Sequence, residues 1–170
     1  INYGYGNLHS VNKAFEKANK DFNLNAKIEV TNNPDHINKA DKIVLPGVGS
    51  FFDCLKAINS IDGVFETLQE QVINKQKCFM GICVGMQLLA DIGYENGENN
   101  GFGWVSGSVE KMKASPNYKI PHIKVLTTNL VNKNKSLKNI FDKLQIIIFG
   151  KHFLLEKFLL KNNIYATSHM

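Results

Sequence analysis

One cysteine is set differently from the others. In Gly81-Ile82-Cys83-Val84-Gly85-Met86-Gln87 a thiol stands between two glycines, after the apolar run Cys78-Phe79-Met80 and before a stretch rich in Met and Leu. A strand that turns sharply into a helix at a nucleophile has this pattern. Glycine on each side lets the backbone make the turn without Cβ clashes. Such a turn exposes the sulfur and sets it at a helix N-terminus, where the dipole and unpaired N–H groups favour a thiolate. The same N–H groups can stabilise an oxyanion. The pattern alone fits a buried cysteine at a tight strand–helix junction equally well. A second segment, Pro46-Gly47-Val48-Gly49, follows the apolar run Ile43-Val44-Leu45. Glycines on both sides of Val48 allow a peptide to approach a ligand or flip toward it, although a plain strand-end turn reads the same way. Cys54 and Cys78 lack such settings and are expected to be small core residues.

The elements around these segments follow from periodicity. Leu8, Val11, Phe15 and Ala18 recur at helical spacing, after the glycine-rich turn Tyr3-Gly4-Tyr5-Gly6-Asn7. Lys27-Ile28-Glu29-Val30 alternates and predicts a strand; Asn32-Asn33-Pro34-Asp35 signals a turn or helix start. Lys42 to Leu45 predicts a strand ended by the Pro46–Gly49 segment. A helix is expected from Ser50 through Leu55 and Ile58. A second is expected from about Ser60, with Val64, Phe65, Leu68, Val72 and Ile73 on one face. Residues 78–82 predict a strand and residues 84–92 a helix. Helix and strand alternation of this kind predicts a doubly wound α/β fold with a mostly parallel, flavodoxin-like sheet. Both glycine-flanked segments would then lie at the carboxyl ends of strands, where such sheets bind ligands. Beyond Gly93 the pattern changes: a polar loop at residues 96–101, an antiparallel-like strand at residues 104–112, a turn at Ser115-Pro116-Asn117, and a further strand within residues 120–130. An apolar run follows at residues 146–149, and residues 154–160 are helix-like in composition.

Composition bounds the function. The chain has 170 residues, 44% hydrophobic and 21% charged, which is globular and fits a single domain over residues 1–170. No apolar run reaches the roughly 20 residues of a membrane span, and the opening Ile1-Asn2-Tyr3-Gly4 carries no signal-peptide pattern. Three cysteines argue against a disulfide scaffold and for a reducing, cytoplasmic setting. The net charge of +5 comes from scattered lysines with no arginine. Phosphate and base readers rely on arginine forks, so a nucleic-acid partner is not expected.

Taken together the motifs resemble a known family. Tyr3-Gly4-x-Gly6-Asn7-Leu8-x-Ser10-Val11, Leu45-Pro46-Gly47-Val48-Gly49-x-Phe51 and Gly81-Ile82-Cys83-Val84-Gly85-Met86-Gln87-Leu88-Leu89 look like the class I glutamine amidotransferases. Within these, the likeness is to glutaminase subunits of imidazole glycerol phosphate synthases, which Gly101-Phe102-Gly103-Trp104-Val105 and Ile120-Pro121-His122-Ile123 also resemble. The resemblance implies that Cys83 attacks the side-chain amide of glutamine and forms a glutamyl thioester. It implies backbone N–H groups at Val48 and Val84 as the oxyanion hole and Gly47 as a substrate-binding position. Gln87 and Glu95 match glutamine-binding positions, although Glu95 also reads as a solvated loop carboxylate. Asn7 and His122 match the face that meets a (β/α)8-barrel synthase subunit, which would receive the ammonia in a heterodimer of histidine biosynthesis. No cofactor or metal is implied.

The resemblance also has breaks. The family's His-Pro-Glu segment, which supplies the base and its orienting carboxylate, is not found in these 170 residues. His122, His152 and His169 do not stand at a matching spacing. After Ile123 the family continues Gly-Trp-Asn, where this chain has Lys124-Val125-Leu126, and residues 124–170 depart from the pattern. Most of the family's first strand is missing too. On this reading the chain is incomplete at both termini or degenerate, and little glutaminase turnover is expected from it. Two other readings share the motifs: an amidotransferase subunit serving surface-polysaccharide sugar modification, and a catalytically dead remnant that only docks on a partner. An α/β domain with an unrelated cysteine elbow is the bland alternative.

Overall fold

A computed structural model describes residues 1–110. The elements run α1 (Leu8–Asp21), α2 (Pro34–Lys39), β1 (Lys42–Gly47), α3 (Phe51–Asn59), α4 (Val64–Gln69) with a π-helical turn at Glu70–Asn74, β2 (Cys78–Cys83), α5 (Val84–Gln87), β3 (Ala90–Gly93), β4 (Asn99–Asn100) and β5 (Val105–Val109). The expected strands and helices after Ser115 lie outside the described residues.

β1 and β2 pair in parallel, from Lys42 opposite Cys78 to Gly47 opposite Cys83. Parallel neighbours need a crossover, and α3 and α4 supply it. Alternation along the strands sends side chains to two faces. Ile43, Leu45 and Phe79 join the main core with Phe51, Ile58, Val64 and Leu68 of α3 and α4. Val44, Met80 and Ile82 face the other way and pack with Phe15 and Val11 of α1. Helices therefore cover both faces of this parallel pair, as the α/β reading requires.

Local signals explain most helix starts. Asn7 Oδ1 accepts from Ser10 N–H at 3.1 Å, Asn33 Oδ1 from Asp35 N–H at 2.8 Å, and Ser50 Oγ from Asp53 N–H at 3.0 Å. Each side-chain oxygen satisfies a donor that the first helical turn leaves unpaired. α4 starts at Val64, later than the expected Ser60, because Gly63 takes φ +70° and breaks the helical path.

Three sequence expectations are corrected. Residues 27–30 form no strand ladder; the backbone just after them meets the chain start, with Asn2 N–H donating to Thr31 O at 2.8 Å. The helix expected over residues 84–92 is a single turn, and β3 takes its last three residues. Leu88, Leu89 and Ala90 are fully buried. Their carbonyls accept from Phe102, Trp104 and Gly103 N–H at 2.7, 2.9 and 3.1 Å, a tertiary pairing in place of an i+4 ladder. Residues 105–109 do form a strand, but β5 pairs parallel with β3, not antiparallel; only the two-residue β4 runs antiparallel to β3.

Candidate active site

β1 and β2 end level with each other. Because Gly47 is the register partner of Cys83, the loop leaving β1 and the turn leaving β2 lie side by side. This is the carboxyl end of a parallel pair, the edge where open α/β sheets bind ligands.

Cys83 takes φ 56° and ψ −119°. Backbone with positive φ is sparsely populated for a residue with a Cβ and costs on the order of 1–3 kcal/mol. That strain is what a nucleophile elbow requires, and the side chain is exposed and makes no capping bond to α5. The flanking glycines answer to packing. A Cβ on Gly85 would stand 2.0 Å from Leu45 O, and one on Gly47 would stand 2.4 Å from Gly85 N. The two segments touch through bare backbone. With α5 only four residues long, a macrodipole contributes little, and assistance at the elbow falls to the N–H groups of its first turn.

The remaining expected site residues are placed as follows. Val48, 57% exposed, continues from Gly47 at the rim of the elbow, and Val84 is buried directly after Cys83. Gln87 is buried four residues on from Cys83. Glu95 is not a solvated loop carboxylate: its Oε2 accepts from Phe51 N–H at 2.8 Å and ties residues 94–98 to the start of α3. Asn7 is exposed and caps α1, and the turn before it meets the loop, since a Cβ on Gly6 would lie 3.3 Å from the Pro46 ring. Cys83, Gly47, Val48 and Val84 thus converge, while Asn7 stands on the turn that leads to them. His122, His152 and His169 lie outside the described residues.

Two residues behind the loop carried no catalytic reading in the sequence, Tyr3 being read only as the head of the glycine-rich turn in the first motif. Tyr3 Oη donates to Pro46 O at 2.6 Å, across 43 positions of chain. Cys54 Sγ donates to Val48 O at 3.5 Å. Burial is the main cause that raises the Tyr3 phenol far above its usual range, followed by a hydrogen bond with Cys54. Burial likewise pushes the Cys54 thiol up. Cys54 is the core residue expected, whereas Cys78 is only half-buried at the start of β2. The glycine-rich motif marks Tyr3, but no local signal names its partner, which lies in a segment remote in sequence.

Residues 1–147 match the family described as glutamine amidotransferase class-I. The chain belongs to the class-I glutamine amidotransferase family. Its curated relatives among these amidotransferases include the imidazole glycerol phosphate synthase subunit HisH of Pelagibacter ubique, 42% identical over 84% of this chain and 68% of that protein. The subunit of the same name from Agrobacterium fabrum is 48% identical over 72% of this chain and 57% of that protein. That of Rhodopseudomonas palustris is 43% identical over 82% of this chain and 65% of that protein. The chain thus spans roughly three fifths of the length of these amidotransferase relatives. The family match covers all three motifs built into the site and continues past Ile123 to residue 147. No helix among the described residues is long and apolar enough to cross a membrane.

Proposed function

We propose that this chain is the glutamine-hydrolysing part of an imidazole glycerol phosphate synthase and that Cys83 is its nucleophile. The observation that carries the reading is an exposed thiol on positive-φ backbone beside the Gly47-Val48 loop. The names of the relatives supply the pathway. The Cys83 thiolate attacks the side-chain amide carbon of glutamine, forming an S–C bond and a tetrahedral oxyanion. The N–H groups of Val48 and Val84 take that oxyanion. Collapse breaks the C–N bond, the nitrogen leaves as ammonia once protonated, and a γ-glutamyl thioester remains on Cys83. Water then releases glutamate. Gly47, Gln87 and Glu95 frame the glutamine pocket in this reading. Asn7 lies on the face toward a (β/α)8-barrel synthase subunit, and the motif holding His122 belongs to that face by resemblance. That subunit receives the ammonia in a cytoplasmic heterodimer.

Proton delivery to the leaving nitrogen is assigned in the family to a His-Pro-Glu segment, which these 170 residues do not contain. Acylation of Cys83 and steady-state turnover are therefore separable in this chain. Treatment with a diazo-ketone analogue of glutamine, followed by peptide mass spectrometry, tests the nucleophile. One adduct is expected at Cys83, blocked by excess glutamine and absent from Cys83→Ala. Steady-state ammonia release is expected to be small, even with a barrel subunit added. A folded chain that takes no label at Cys83 overturns the proposal.

A further inference from the structure

The Pro46–Gly49 segment is held from behind by two side chains that the chemistry above does not use. Tyr3 is buried, and its Oη donates to Pro46 O at 2.6 Å. Cys54 is fully buried in the first turns of α3, and its Sγ donates to Val48 O at 3.5 Å. Those two carbonyls belong to the Pro46–Gly47 and Val48–Gly49 peptides. Between them lies the Gly47–Val48 peptide, which carries the Val48 N–H.

A planar peptide reorients as a unit when the ψ before it and the φ after it rotate in opposite senses. Glycine before the plane lowers the steric barrier to such a rotation. Gly49, at φ +111°, leaves the far side of the loop in a conformation that other residues rarely adopt. The direction of the Val48 N–H is then governed by how firmly its two neighbouring peptides are held. We infer that Tyr3 and Cys54 are positioning residues, which pin the carbonyls on both sides of the Gly47–Val48 peptide and so aim the Val48 N–H at the oxyanion formed on Cys83. The inference rests on the amidotransferase reading of the site. Burial keeps the phenol and the thiol protonated, so both remain donors through the neutral range. A phenol is a stronger donor than a thiol, and Tyr3 therefore carries the larger share.

Two reagents separate positioning from plain structural support. A diazo-ketone analogue of glutamine sets its carbonyl in the oxyanion hole while its diazo-bearing carbon takes up a proton, bonds to the Cys83 sulfur as a thioether and releases dinitrogen, a reaction that needs the oxyanion donors. Iodoacetamide alkylates the same sulfur by direct displacement and does not. Rates are read at Cys83 by peptide mass spectrometry on folded Tyr3→Phe, Cys54→Ala and Cys54→Ser. Loss of one oxyanion donor costs about 100- to 1000-fold, and loosening one is a fraction of that. Tyr3→Phe is expected to slow the diazo-ketone reaction about tenfold and Cys54→Ala about threefold. Cys54→Ser, which keeps a donor, should stay near the parent rate. The iodoacetamide rate and the glutamine concentration for half-protection should not move. If both reagents slow together, or neither slows, the inference is overturned. If Tyr3→Phe does not fold, the Ala and Ser variants of Cys54 decide alone. A parent chain inert to the diazo-ketone removes the site reading itself, and this inference with it.

Discussion

The three thiols of this chain share one chemistry, and backbone and burial sort them. Cys83 is exposed on positive-φ backbone, Cys54 is sealed behind the loop, and Cys78 is half-covered at a strand start. Burial raises both the Cys54 and the Cys78 thiols, so each stays protonated and slow where an accessible thiol reacts. Iodoacetamide at neutral pH should modify Cys83 first, with Cys54 untouched until the fold opens. Raising the pH to about 9 should not bring Cys54 up to the Cys83 rate, because access as well as ionisation is missing. Peptide mapping of a time course checks both. Gly85 makes a second prediction at this scale. A methyl there would stand 2.0 Å from Leu45 O, and neither backbone can yield without moving β1. Gly85→Ala should destabilise the fold by about 1–3 kcal/mol, the usual range for overpacking, and should also pull the loop from the elbow. Denaturant unfolding and diazo-ketone labelling measure the two effects separately. The cysteine, its glycines and the loop were all legible in the sequence, because close approach of backbones leaves glycine as its trace. Tyr3 stood in the first motif, but its place behind the loop was not legible, because a hydrogen bond to a carbonyl places no demand on the sequence near its acceptor.

At the scale of the element, α3 shows how the site is anchored. Ser50 caps it and Asp53 returns the bond, Ser50 Oγ donating to Asp53 Oδ2 at 2.6 Å. Glu95 reaches the same end from 44 residues away and accepts from Phe51 N–H. The first turn of a helix welcomes a carboxylate there, since its N–H groups carry partial positive charge. Ser50→Ala should cost about 1 kcal/mol, the typical value for a lost N-cap. Glu95→Ala should loosen residues 94–98 as well, seen as faster amide exchange in that segment while α1 is unaffected. Hydrogen exchange read by mass spectrometry distinguishes the two variants. The Ser50 cap was readable as a helix start, since its partner is three residues on. The tie from Glu95 was not readable, because it closes over long range. The same contrast explains β3: residues 84–92 have helix-like composition, yet fully buried carbonyls at Leu88 to Ala90 bond to residues 102–104.

At the scale of the whole described molecule, aromatic side chains cluster under the crossover. Phe79 meets Trp104 edge-on at 5.4 Å, Trp104 meets Phe102 at 4.9 Å, and Phe102 meets Phe65 at 5.1 Å between ring centroids. The indole Nε1–H donates to Gln69 Oε1 at 2.6 Å, so the buried polar atom is satisfied. This group joins β2, α4 and the start of β5. Phe79→Ala should cost about 3–5 kcal/mol, and the chain's single tryptophan makes its unfolding visible by fluorescence. The sequence by itself determined the α/β class, the parallel pairing of two apolar strands and the cysteine elbow. Those features depend on periodicity, residue size and glycine, which are local properties written into neighbouring positions. Only the tertiary structure decided that residues 27–30 stay out of a ladder, that residues 90–93 become a strand, and that Tyr3 and Cys54 stand behind the loop. All of those outcomes but the Cys54 bond, which reaches Val48 across only six residues, are hydrogen bonds or burials between segments distant in the chain. Such a partner is chosen by the packed fold, after local preference has had its say.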